Sequence, residues 1–181
     1  AVLHVWGMTE LSPIGTIGTL KARHLVMSAA ERNAVQSKQG RAVFGVDMKI
    51  VGTDGVELPW DGATSGDLMV RGPWVVRDYF KNESDCSPLL GHAGQAWFPT
   101  GDVATIDVDG FMQITDRSKD VIKSGGEWIG SIDLENIAMT HPSVSQAACI
   151  AAKHAKWDER PSLIVVRKAQ AALTREELVA V

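Results

Sequence analysis

The chain has 181 residues, 45% hydrophobic and 22% charged, a balance that excludes disorder and leaves room for one core and part of another. A net charge of −4, with Lys and Arg scattered along the chain, gives no basic face for a polyanion and so excludes nucleic acid as an expected partner. Cys86 and Cys149 are the two cysteines; they lack disulfide-framework or zinc spacing, no apolar run approaches a membrane span, and no signal-peptide pattern opens the chain, so a reducing, cytoplasmic setting is expected.

The opening AVLHVW reads as a strand whose partners are expected upstream. Val43 to Ile50 alternates loosely enough for a strand, and Asp54-Gly55 offers the two-residue turn that closes hairpins. GDLMVRGP adds a strand stopped by Gly72-Pro73. Asp109-Gly110 makes a second turn between ATIDV and FMQIT, so Phe44 to Thr115 reads as an antiparallel, barrel-like β module. After Lys119 the texture changes. VIKSG is a short strand, Ile132 to Met139 has helical spacing, and His141-Pro142 ends that helix. QAACIAA and PSLIVVRK read as strands of a small α+β unit.

The predicted fold is therefore α+β, with residues 1–116 forming the β module and 117–181 a smaller α+β domain. Thr174 and Glu177 have the spacing of a capping box, in which each side chain satisfies an exposed backbone amide at a helix start. Only four residues follow Glu177, short of an ordinary helix of about 11 residues. With no leading Met, this suggests a piece of a longer protein.

Two stretches carry the chemistry. In VWGMTELSPIGT, Thr9 and Glu10 set a hydroxyl beside a carboxylate after an apolar strand, which suits a phosphate contact next to a magnesium ligand; an isolated Thr-Glu pair is more often a turn cap and a solvated acid. In PTGDVATIDVDGFMQITDRSKDVIKSGGEWIGSIDLE, Gly101 allows close backbone approach and Asp102 offers a carboxylate able to accept from two ribose hydroxyls, although an acid after glycine commonly satisfies a turn. Arg117 offers a planar fork. Lys119 is a cation that would otherwise be solvated, Lys123 is a cation able to stabilise developing negative charge, and Gly125-Gly126 allow a tight loop that a narrow ligand could pass, or are simply a turn.

Together these stretches resemble the adenylate-forming superfamily of acyl-CoA synthetases, which activate carboxylates with ATP before making a thioester. The resemblance implies the end of the large AMP-binding domain followed by part of the small C-terminal domain. It implies a nucleotide site at Trp6, Gly7, Met8, Thr9, Asp102 and Arg117. Thr9 would contact the adenylate phosphate, Glu10 would help hold magnesium, and Asp102 would bind the ribose. Trp6 replaces a tyrosine usual at that place, keeping a stacking face for adenine and losing the phenol hydroxyl. Pro99 replaces an acid or small polar residue.

Lys119 matches the family's hinge, and Lys123 a lysine linked to the thioester-forming orientation. Thr9, Glu10 and Lys123 are thus the expected catalytic residues. Ser124, Gly125, Gly126, Glu127 and Trp128 would border a CoA channel, with Trp128 equally readable as a core residue. Ile14, Gly15 and Thr16 would border the acid pocket or serve packing, and Glu135 reads as structural. The expected cofactors and partners are ATP/AMP, CoA, Mg2+ and a small carboxylic acid; a homodimer is compatible.

GGEWIGSIDLEN and HAKWDERP are most similar to the branch that includes medium-chain fatty acid and methylmercaptopropionate CoA ligases. No phosphate loop ending in lysine and no SGK-type catalytic lysine occurs in the sequence, so this chain alone is expected not to form acyl-adenylate at an enzymatic rate. An adenylation domain that loads a carrier-protein thiol and a non-catalytic AMP-binding remnant are the alternatives.

Overall fold

The computed structural model describes residues 2–77, 79–80 and 96–180; Cys86 lies outside them. The chain divides into two compact units, Ala1–Ile114 and Thr115–Val181, two residues before the expected 116/117 division. Among the described residues no helix is long and apolar enough to cross a membrane.

Unit 1 is built mainly of antiparallel strands. Strands β1 (Val5–Gly7), β2 (Ile14–Ile17) and β3 (Arg41–Ala42) form one sheet in that order. Strands β4 (Asp47–Val51), β5 (Gly66–Arg71), β6 (Phe98–Ile106) and β7 (Met112–Arg117) form a second. An antiparallel bridge between Gly40 and Met112 links the segment before β3 to β7, which gives the barrel-like module its continuity. Leu11, Ile50, Leu68, Val70, Ile106 and Met112 are almost fully buried between these elements.

Within this chain β1 pairs with β2, Trp6 opposite Thr16. Two local expectations need correction. Strand β4 starts at Asp47 because Gly45 turns the backbone into the positive-φ region (φ +86), a conformation L-residues seldom adopt; Phe44 is left 98% exposed. The turn around Asp54-Gly55 runs from Gly52 to Val56 and joins β4 to an isolated bridge at Glu57, while the full-length partner of β4 is β5.

Helix α1 (Ala29–Gln36), which the sequence reading passed over, starts with a capping box between Ser28 and Glu31. The Ser-x-x-Glu spacing was the available signal. The segment that precedes it is tied to the β6–β7 turn. Asp109 pairs with Lys21, Arg23 and His24, and Lys38 pairs with Asp107 at 2.7 Å. The Lys21 backbone N–H donates to His24 Nδ1, so the neutral ring carries its proton on Nε2, which faces Asp109 at 3.1 Å.

Unit 2 contains β8 (Ile122–Ser124), β9 (Glu127–Ile129), α2 (Ser131–Thr140), β10 (Val144–His154), β11 (Asp158–Arg167) and α3 (Arg175–Val179). Its sheet has the order β10-β11-β8-β9. No side chain of the N-cap residue Gly130 caps α2. Buried Asp116 serves instead, accepting from Ser131 N at 2.6 Å and from Arg117 N at 2.7 Å. Glu135 accepts from the Cys149 backbone N–H at 2.8 Å, the structural role expected of it. The capping box at Thr174 and Glu177 starts α3.

Candidate functional site

Within unit 1 the two signature stretches meet. Strand β1 carries Trp6, and the indole Nε1–H donates to Asp102 Oδ2 over 3.1 Å across 96 positions of sequence. Trp6 is held from behind: an added Cβ at Gly15 would lie 2.4 Å from the Trp6 ring, so glycine is required there for the ring to lie flat on β2. Thr16 beside it is buried, with its hydroxyl donated to Gln39 O at 2.6 Å. Gly15 and Thr16 therefore pack the scaffold.

Asp102 sits in β6, where the Thr100 hydroxyl donates to Leu68 O at 3.0 Å and accepts from Asp102 N at 3.1 Å. Gly101 has φ +77, and an added Cβ would meet nothing within 4 Å. Its glycine thus answers a conformational need of the strand rather than close approach. Trp97, just upstream, lies beneath two cations, Lys49 Nζ at 4.5 Å and the Arg71 guanidinium at 4.6 Å from its centroid.

Gly7 and Met8 lead into a single 3-10 turn, Thr9–Leu11, with Leu11 fully buried as its anchor. That anchor holds Thr9 and Glu10 at the rim. The Glu10 carbonyl accepts from Val76 N at 2.9 Å, and its Oε1 accepts from the Tyr79 hydroxyl at 2.8 Å. The hydrogen bond to Glu10, with burial and the carboxylate's charge behind it, raises the Tyr79 pKa above its ordinary value. Tyr79 is a site neighbour that the sequence reading missed; one tyrosine among many loop residues carries no spacing signal.

Within unit 2, Arg117 ends β7 and is exposed, and its carbonyl accepts from Asp120 N and Val121 N at 2.9 Å each. Lys119 lies in the exposed turn that follows. Lys123 stands on β8 opposite Trp128 on β9, with its Nζ 4.8 Å from the indole centroid, and its backbone N–H donates to Glu159 Oε2 at 2.8 Å. Gly125 and Gly126 form the two-residue turn between these strands, with φ +59 and +91, the sign that a twist-matched hairpin needs.

Ser124 is buried at the strand end and Glu127 is exposed. Gly125 N donates to Trp157 O at 3.0 Å, and a Cβ there would lie 2.7 Å from the Trp157 ring. Trp157 and Glu159 thus support the glycine turn from a segment the sequence reading used only for likeness.

Residues 1–80 match the family model of the AMP-binding enzyme, and residues 133–181 match that of the AMP-binding enzyme C-terminal domain. The chain belongs to this adenylate-forming, AMP-binding family. It is similar to the medium-chain-fatty-acid–CoA ligase of Ectopseudomonas oleovorans, 53% identical over 177 residues, covering 98% of this chain and 32% of that protein. It is also 53% identical over 165 residues to the 3-methylmercaptopropionyl-CoA ligase of Ruegeria lacuscaerulensis, covering 91% of this chain and 30% of the relative.

Among solved structures, ATP-bound MatB from Rhodopseudomonas palustris superposes with a TM-score of 0.74 at 27% identity, covering 99% of this chain and 33% of that one. The chain spans about a third of the length of the curated relatives it matches.

Proposed function

We propose that this chain forms part of an ATP-dependent, AMP-forming acyl-CoA ligase acting on a fatty or related short- to medium-chain carboxylic acid. The observation that carries the reading is the Trp6–Asp102 contact, which joins the WGMTE turn to the TGD strand. The similarity to CoA ligases at 53% identity supports the reaction class.

In the first step a carboxylate oxygen attacks the α-phosphorus of ATP, and the bond to pyrophosphate breaks. Thr9 would hydrogen-bond the phosphate, and Asp102 would accept from ribose hydroxyls. In the second step a CoA sulfur attacks the acyl carbonyl, and the bond to AMP breaks. Lys123 would offset the developing negative charge, while Ser124 to Trp128 would line the path of the pantetheine arm. Arg117 would contact the nucleotide, and Lys119 would absorb the backbone change between the two steps.

Magnesium keeps several waters and takes one or two carboxylates together with substrate phosphates. Glu10 offers one such carboxylate at the turn beside Thr9, with its Oε1 accepting from the Tyr79 hydroxyl, and a single carboxylate of this kind fits a metal completed by phosphate oxygens and water. Bound there, it would neutralise phosphate charge.

The test measures AMP formation from ATP by the full-length protein across short, medium and long carboxylic acids, with CoA present and then omitted. AMP production that requires both acid and CoA is expected. Sustained turnover without CoA, or none with any acid, would overturn the reading.

A further inference from the structure

Lys123 and Trp128 stand on either side of the glycine pair in the sequence, and the β8–β9 hairpin turns that spacing into a direct contact. The two residues are opposite one another in the register. The Lys123 backbone N–H is taken by Glu159 Oε2 at 2.8 Å rather than by β9, so they form a non-hydrogen-bonded pair, the kind in which side chains of an antiparallel ladder stand closest. The Lys123 ammonium lies over the Trp128 indole, with Nζ 4.8 Å from the centroid, within the range of a cation–π attraction.

The backbone beneath the pair is held from several sides. Gly125 and Gly126 close the hairpin at φ +59 and +91, Gly125 N donates to Trp157 O at 3.0 Å, Ser124 pairs with Asp158 on β11, and Ile122 just before Lys123 is fully buried. A fixed backbone does not fix the charge, because lysine carries it on a flexible four-carbon stem. The indole face supplies the missing restraint. Tryptophan is the strongest aromatic partner for a cation, and both side chains are half-buried, where the attraction exceeds that of an exposed pair.

We propose that Trp128 is a positioning residue for the thiol step, holding the Lys123 ammonium over its indole face beside the glycine turn, ready for the negative charge that develops as the CoA sulfur attacks. The inference rests on the role proposed above for Lys123. It predicts that Trp128 acts on the rate of thioester formation through Lys123, and that neither the affinity for CoA nor the adenylation step depends on this contact.

The test is a double-mutant cycle in the full-length protein, with Trp128→Leu and Lys123→Met made singly and together. Adenylation is followed as acid-dependent pyrophosphate release in a single turnover without CoA, and the thiol step as thioester formation from the preformed acyl-adenylate. Trp128→Leu should lower the thiol step at saturating CoA by about two- to fivefold, leave KM for CoA and adenylation unchanged, and add nothing in the Lys123→Met background. Trp128→Phe keeps a weaker aromatic face in a smaller ring; it should fall between the wild type and the leucine variant, and it carries the same cycle if the leucine variant folds poorly.

No loss in the thiol step, an equal loss in the Lys123→Met background, or a loss confined to KM for CoA would overturn the positioning role. A Lys123→Met protein with an unimpaired thiol step would instead remove the role of Lys123, and the inference with it.

Discussion

Asp116 accepts from the backbone N–H of Ser131 at 2.6 Å while its other oxygen accepts from Arg117 N, so one buried carboxylate ties the end of β7 to the start of α2. The helix N-terminus carries a partial positive charge that a carboxylate complements. Asp116→Ala leaves both amides without that acceptor, at a cost of about 1–3 kcal/mol for a buried unsatisfied group. The expected result is a lowered unfolding midpoint for unit 2 in denaturant titration; an unchanged midpoint would show that water replaces the carboxylate.

Gly15 is where scaffold and candidate site are coupled most tightly. Gly15→Ala would set a Cβ 2.4 Å from the Trp6 ring, and overpacking of this kind costs about 1–3 kcal/mol. If Trp6 moves to relieve it, the contact with Asp102 lengthens. Thermal unfolding should show a lowered Tm together with weakened AMP binding. A lowered Tm with unchanged AMP affinity would place the relaxation elsewhere.

Tyr79 is the only tyrosine in the sequence, so tyrosinate absorbance near 295 nm reports it directly in this chain. Its donated hydrogen bond to Glu10 favours the protonated phenol and raises the pKa. Ionisation should therefore begin at higher pH in the folded chain than in urea. Glu10→Gln should bring the folded-state titration down towards the ordinary value near about 10. Coincident curves for the wild type and this variant would argue against the contact.

His24 gives unit 1 an acid-sensitive joint. Burial, followed by the charges of Arg23 and Lys21, pushes its pKa below the ordinary histidine value, against an opposing influence from Asp107. Below about pH 6.5 the unfolded chain takes up a proton that the folded chain resists, so stability contributed by neutral His24 is present above that pH and declines as pH falls towards the folded-state pKa. Urea midpoints measured from pH 7.5 to 5 should fall, and His24→Gln should flatten that decline. An equally steep decline in the variant would assign it to other groups.

The Gly125-Gly126 turn separates conformation from crowding. Gly126→Ala meets a φ of +91 but open space, whereas Gly125→Ala meets a φ of +59 and the Trp157 ring at 2.7 Å. Under the proposed CoA role, Gly125→Ala should lower acyl-CoA formation several-fold more than acid-dependent pyrophosphate release, with Gly126→Ala milder. Equal loss in both half-reactions would detach this turn from the thiol step.

Much of this was legible because local chemistry sets local structure. Asp109-Gly110 closes β6 onto β7, Gly72-Pro73 ends β5, and the Thr174–Glu177 box starts α3 where its spacing required. These features depend on neighbours within a few residues. The motif chemistry around Thr9, Glu10 and Asp102 was also visible as residue types in order.

Contacts between distant positions were not legible, because residue type does not reveal which groups the fold places within about 3 Å of one another. The sequence by itself determined most of the strands, helices α2 and α3, and the family. Only the tertiary structure decided that Trp6 reaches Asp102, that Gly15 makes room for that ring, that Tyr79 meets Glu10, and that Trp157 backs the glycine turn. Each of these relations joins distant segments through packing that a one-dimensional pattern does not encode.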